Sequence, residues 1–172
     1  LACDYRIGTK KSVLAFPETG IGIYPGLGGT QRASRLIGVA RAKQLIASGQ
    51  FLNAKKAYSI GLVDVIIDPV LDWRELAKLS IEKAQVGREE ETPEEHEFAG
   101  FSGHLNHPLL AREGFEKQAK GISRKAPLAL KTAMDLIDQG IALDLQAGLQ
   151  LELDGLKQIF ATQDALSGLS SI

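Results

Sequence analysis

Glu18 is the residue of this chain whose surroundings most suggest chemistry. It lies between a strand-like apolar run over residues 12 to 16 and the stretch Gly20-Ile21-Gly22-Ile23-Tyr24-Pro25-Gly26-Leu27-Gly28-Gly29-Thr30, where positions 20, 22, 26, 28 and 29 are glycine. So many positions without a side chain imply tight turns or a close approach of backbone to something else. Thr30 can then cap a helix, whose free N–H groups and dipole favour an anion or a developing negative charge. A carboxylate in a partly apolar pocket has its pKa raised toward neutrality and can both accept and donate a proton. The plain alternative is a hairpin and a helix start with Glu18 solvated, and spacing alone leaves both open.

Other chemistries fit less well. Gly20-x-Gly22 is followed by Tyr24-Pro25, so the dinucleotide fingerprint fails, and no Gly-Lys-Ser/Thr completes a phosphate loop. His96, His104 and His107 show no helical i, i+4 spacing and have no second cysteine to join them, so no metal site is expected. Polar loop positions explain them. No serine stands in a G-x-S-x-G turn, and Cys3 reads as a small packed residue rather than a nucleophile.

The elements that must position Glu18 follow from periodicity and punctuation. Residues 2 to 8 and 12 to 16 read as short strands of a mostly buried sheet, separated by Gly8-Thr9-Lys10-Lys11. Helices are expected over 31–36, ended by Gly38, over 40–47, ended near Gly49, and over 54–60 with Asn53 as cap and Gly61 as stop. A strand-like run covers 63–67. Asp72 caps a helix to about residue 86, with Leu76, Leu79, Ile81 and Ala84 at near-helical spacing. The run Glu89-Glu90-Glu91-Thr92-Pro93-Glu94-Glu95 repels itself and reads as a solvated loop. Pro108 opens a helix to about 123, and Pro127 sits in the first turn of another to Gly140. Asp144 opens an amphipathic helix through Phe160. Its stripe of Leu145, Leu149, Leu153, Leu156, Ile159 and Phe160 reads as core or subunit contact.

At 172 residues the chain fits one domain, and 44% hydrophobic with 24% charged residues is ordinary for a soluble globule. A net charge of −1 gives no general attraction to nucleic acid or to an anionic membrane, and neither is expected as a partner. No apolar run approaches the ~20 residues of a membrane span. A single cysteine suits a reducing, cytoplasmic location.

Several ordered segments resemble one family. Leu1-Ala2-Cys3-Asp4-Tyr5-Arg6-Ile7 and Phe16-Pro17-Glu18-Thr19-Gly20-Ile21-Gly22-Ile23-Tyr24-Pro25-Gly26-Leu27-Gly28-Gly29-Thr30-Gln31-Arg32 are similar to the second half of a crotonase-superfamily domain, the enoyl-CoA hydratase/isomerase fold. The likeness continues through Leu36-Ile37-Gly38, Ala54-Lys55-Lys56-Ala57, Gly61-Leu62-Val63-Asp64, Ala126-Pro127-Leu128-Ala129-Leu130-Lys131 and Phe160-Ala161-Thr162-Gln163-Asp164-Ala165. It implies an α/β crotonase (ClpP-like) spiral, incomplete at its N-terminus. Residues 1–86 would form the core with the active-site loop, 87–107 a charged insertion loop, and 108–172 a helical oligomerisation region.

The resemblance implies an acyl-CoA thioester substrate and hydration of a 2-enoyl-CoA. No cofactor is expected, since CoA is part of the substrate, and NAD would enter only through a fused 3-hydroxyacyl-CoA dehydrogenase module. Glu18 matches the second of two catalytic glutamates and Gly26 a backbone position that holds the attacking water. Pro17, Tyr24 and Pro25 would line the substrate. Basic residues such as Lys10, Lys11 and Lys131 would meet phosphate, and Phe160 would pack near pantetheine or adenine, although solvated surface also accounts for the lysines. Trimers, often paired into hexamers, are implied. An isomerase or another crotonase-type acyl-CoA enzyme, and a non-catalytic assembly domain, are the alternatives. The companion glutamate and both oxyanion N–H donors would precede Leu1. The 172 residues alone are therefore expected to be inactive, and crotonyl-CoA hydration by them at a rate near that of a longer parent would overturn this.

Overall fold

The structure is a computed structural model that describes residues 1–67, 72–84 and 97–171. In chain order its strands are β1 (Ile7–Thr9), β2 (Val13–Leu14), β3 (Leu52–Asn53) and β4 (Val65–Ile67). Its helices are α1 (Gly29–Ile37), α2 (Val39–Ser48), α3 (Ala54–Ser59), α4 (Trp73–Ala84), α5 (Glu116–Ile122), α6 (Pro127–Gly140), α7 (Leu145–Phe160) and α8 (Gln163–Leu169). Short 3-10 turns cover Glu18–Ile21, Glu97–Gly100 and Pro108–Ala111. Two compact units form, and they interleave along the chain. One gathers Leu1–Leu14 and the described residues of Phe51–Glu94, the other Ala15–Gln50 and the described residues of Glu95–Ile172. The acidic run 89–95, with His96, lies outside the described residues.

In the first unit β1 pairs in parallel with β4, and β2 pairs antiparallel with β3. The strands are shorter and more exposed than the sequence implies: Ile7 is 40% and Val13 63% exposed. Each described strand has a single partner, so much of its surface lacks a packing neighbour. Arg6 and Asp64 join the start of the chain to the approach to β4. Arg6 N donates to Asp64 Oδ2 at 2.8 Å, Arg6 Nη2 to Asp64 Oδ1 at 2.7 Å, and Asp64 N returns a bond to Arg6 O. Asn53 caps α3 as expected, accepting from Lys56 N at 2.9 Å. Asp72 Oδ1 does the same for α4, accepting from Arg74 N and Glu75 N. Cys3 is exposed, not packed.

The second unit is a helical assembly around α2 and α6. Its core holds Ile46, Ala47, Phe98, Phe101, Leu130, Met134 and Ile137. Buried Lys43 ties α2 across it, its Nζ donating to Ala99 O and to Asp138 Oδ2, each at 2.8 Å. The single helix expected over 108–123 is two pieces, the turn Pro108–Ala111 and α5. Gly114, at φ +88°, breaks the helical path between them. His107 belongs to that connection, its Nδ1 accepting from Leu109 N and its ring meeting Phe101 edge-on, while His104 is exposed. Among the described residues no cluster of ligating side chains could hold a metal ion, and no helix is long and apolar enough to cross a membrane.

The expected stripe of α7 faces inward only in part, with Ile159 in the core and Leu156 packed against it. Leu145, Leu153 and Phe160 are 38%, 56% and 43% exposed, whereas Gly148, Glu152 and Ile159 are buried. The reason is close approach to the glycine loop and α1. A Cβ on Gly148 would lie 2.6 Å from Gln31 Oε1, and one on Gly155 would lie 2.7 Å from the Tyr24 hydroxyl.

Gln31 is fully buried and held at both ends. Its Nε2 donates to Thr30 Oγ1 at 3.1 Å and to Leu136 O at 2.8 Å, and its Oε1 accepts from Arg35 Nη1 at 2.9 Å. Arg35 Nη2 in turn closes the end of α6 by donating to Gly140 O and Leu143 O. A methyl at Gly140 would land on Gln31 Oε1, which cannot retreat without breaking these bonds. Gly140→Ala is expected to lower stability by about 1–3 kcal/mol in urea unfolding. Gly100→Ala, with nothing within 4 Å of the added carbon, should change it by less than about 0.5 kcal/mol.

Candidate active site

Glu18 opens the 3-10 turn Glu18–Ile21, and three neighbours in the second unit fix that turn. Buried Thr19 donates from Oγ1 to Ile46 O at 3.0 Å, near the end of α2, and its carbonyl accepts from Ala126 N at 3.0 Å, at the start of α6. On the remaining side Gly22, at φ +81°, presses against the backbone of Asp164 and Ala165, where no Cβ would fit. The N–H groups of Gly22 and Ile23 return to Glu18 O. The carboxylate is thus carried on a turn braced by α2, α6 and α8.

The Glu18 side chain is half-buried, and its Oε2 is buried without a hydrogen-bond partner among the described residues. Burial pushes its pKa above the ordinary carboxylate value, partly offset by its own backbone N–H. A raised pKa is the direction that suits a carboxyl group to both accept and donate a proton. Lys125 stands over the same turn and was not visible as a site residue in the sequence. Its Nζ lies 3.3 Å from where a Cβ of Gly20 would be, it fills the space beside Gly49, and burial pushes its pKa down.

The glycine loop that follows ends at α1, whose N-cap is Gly28 at φ +80°, not Thr30. The negative charge expected at this helix start is present and internal. Glu152 of α7 accepts from Gly28 N at 2.6 Å on Oε1, and from Thr30 N at 3.1 Å and Thr30 Oγ1 at 2.5 Å on Oε2. The Tyr24 hydroxyl donates to Glu152 O at 2.7 Å, and its pKa is pushed up to about 12 by burial and the neighbouring carboxylate. Tyr24 is 1% exposed, so it braces the loop and has no surface to offer a substrate. Glu152 gave one sequence signal, a carboxylate in the helical pattern Gly148-x-x-x-Glu152-x-x-Gly155.

The remaining expected residues are placed unevenly. Pro17 is exposed beside Glu18, and Pro25 is buried where a Cβ on Gly29 would strike it. Gly26 is half-buried, backs onto Leu156, and its N–H donates to no group among the described residues. Lys131 lies on α6 and pairs with Asp135 at 2.5 Å, and Phe160 is exposed at the end of α7. No hydrogen bond or ion pair among the described residues joins Lys131 to Glu18.

A family model described as Enoyl-CoA hydratase/isomerase matches residues 1–85. The Short-chain-enoyl-CoA hydratase of Clostridioides difficile is 32% identical over 171 residues, covering 99% of this chain and 85% of that protein. The Crotonyl-CoA hydratase of Syntrophomonas wolfei is 30% identical over 171 residues, covering 99% of this chain and 51% of that protein. In fold, the crystal structure of a Carnitinyl-CoA dehydratase from Mycobacterium thermoresistibile matches with a TM-score of 0.70 at 18% identity, covering 98% of this chain and 54% of that one. The chain belongs to the enoyl-CoA hydratase/isomerase family and has the α/β crotonase fold, of which these residues form a helix-rich part. It spans about half the length of several relatives that it matches.

The raised pKa of Glu18 sets a pH dependence of stability. A carboxyl whose folded pKa exceeds its unfolded value, about 4.3, binds more protons in the folded state. It therefore contributes stability that is complete below the unfolded pKa and lost as pH rises through the folded one. Glu18→Gln removes this dependence. The variant should gain on the parent as pH rises from 4 to 7, read as the difference between their urea midpoints. A difference that is flat with pH would show that the carboxylate ionises without penalty.

Proposed function

We propose that this chain carries the proton-transfer half of an enoyl-CoA hydratase site, with Glu18 as acid and base and the Gly26 N–H as a holder of the attacking water. The observation behind it is a half-buried carboxylate with a raised pKa, on a braced turn ahead of a loop, where one oxygen of Glu18 and the Gly26 N–H have no hydrogen-bond partner among the described residues. In hydration, water adds to the β-carbon of the conjugated thioester and a proton goes to the α-carbon. One carboxyl that takes a proton from water and delivers one to carbon meets both needs. Hydratase relatives favour this over isomerisation, which would move a proton between two carbons without adding water.

The substrate class we assign is an acyl-CoA thioester. We assign the companion carboxylate and the N–H donors for the enolate oxygen to residues other than these 172. We further propose a homotrimer or hexamer in which the exposed side chains Leu145, Leu153, Phe160, Leu166 and Leu169 of α7 and α8 are covered by a second copy.

In a longer protein carrying this chain, Glu18→Gln should lower kcat for crotonyl-CoA hydration by about 100-fold or more, with KM within a few-fold. Full activity in that variant would end the assignment. Faster turnover of a 3-enoyl-CoA than of crotonyl-CoA would replace hydratase by isomerase. For the assembly, Leu153→Glu should shift the mass by light scattering to that of a monomer, and an unchanged mass would remove α7 from the interface.

A further inference from the structure

Proton transfer at Glu18 leaves without a role the buried acid of α7 that contacts the loop. Glu152 is 1% exposed and lies more than a hundred residues downstream of the loop it contacts. A carboxylate taken out of water is costly unless its lone pairs are met. Here both oxygens are met by donors from the loop end, two of them backbone N–H groups at the start of α1 that have no partner within the helix. Its own carbonyl holds the Tyr24 hydroxyl. The four bonds grip residue 24 on one side and residues 28 and 30 on the other, bracketing Pro25, Gly26 and Leu27. Leu27, inside the bracket, is 99% exposed and contributes no packing of its own. Pro25 is buried and Gly26 backs onto Leu156, so the segment is held by this packing together with the bonds at its two ends.

We propose that Glu152 is a positioning residue for the reaction: through Gly28, Thr30 and Tyr24 it sets the direction of the Gly26 N–H. This rests on the hydratase reading for its kinetic consequence, while its structural consequence stands without it. A glutamine at 152 keeps the shape but turns an NH2 toward an N–H or O–H donor, so at least one bond becomes a donor–donor contact. Thr30→Val keeps the shape of residue 30 and deletes one donor, whereas Thr30→Ser keeps that donor.

The experiment combines amide hydrogen exchange over residues 22 to 32 with crotonyl-CoA kinetics, in Glu152→Gln, Thr30→Val and Thr30→Ser. Exchange in the loop should rise about tenfold or more in Glu152→Gln and Thr30→Val, while α2 and α6 keep their protection, and Thr30→Ser should match the parent. In the longer active protein, kcat should fall about 10-fold in Thr30→Val and about 100-fold in Glu152→Gln with KM within two-fold, and Thr30→Ser should restore it. A general loss of protection across α2 and α6 would make Glu152 a stability residue only and overturn the proposal. So would unchanged loop exchange, or a loss confined to KM. A parent that exchanges as expected but hydrates no enoyl-CoA would sink the hydratase reading and leave the positioning role standing.

Discussion

A single buried carboxylate at the start of α1 is the constraint on which the rest of the second unit depends. Glu152 brings a full negative charge to a place where water cannot solvate it. Three donors and the positive end of α1 offset the cost of desolvation. Charge-assisted bonds of this kind are shorter and about twice as strong as neutral ones. Because the donors belong to the loop and the acceptor to α7, neither element reaches its observed place without the other. A Thr30–Gln31–Arg35 chain of bonds extends the same network to the end of α6, so one polar seam joins three helices.

The seam exists because glycine lets helices come close. Gly148 and Gly155 open α7 to Gln31 and Tyr24, and Gly140 opens the end of α6 to Gln31. At ordinary interhelical distance the same side chains would have left polar atoms unmet, at about 1–3 kcal/mol each. The turn bearing Glu18 is fixed by a separate device, the threonine at 19 with its two backbone partners and the glycine at 22 against α8. The candidate acid and the candidate water-holder thus sit on two independently braced pieces of backbone.

Much of this was legible in the sequence, and where it failed the reason was contact between distant residues. Helices α2, α3, α6 and α7 lie within a residue or so of their expected limits, since Gly49, Asn53, Pro127 and Asp144 are local punctuation that needs no tertiary help. Glu18 was singled out as a candidate because a carboxylate before clustered glycines is itself a local pattern. Glu152 was not, because periodicity ranks residues by hydrophobicity and assigns a leucine stripe to the inside. Here Leu145, Leu153 and Phe160 of that stripe are exposed while Ile159 is buried, and the buried face also takes in Gly148 and Glu152. Lys125 escaped notice for a similar reason, as nothing around it in sequence marks the slot between Gly20 and Gly49 that it fills. Thr30 was expected as the cap, yet the cap is Gly28 because the loop turns through a left-handed residue there.

The donors that Gly28 and Thr30 offer from the main chain are atoms that every non-proline residue possesses. Drift among loop side chains therefore leaves much of this grip untouched, and its vulnerability moves to a distant helix. A chain severed ahead of Leu145 would retain each letter of the glycine-rich segment and still forfeit its geometry. Grafting that segment onto another scaffold would succeed only if an acid arrived from outside to meet it.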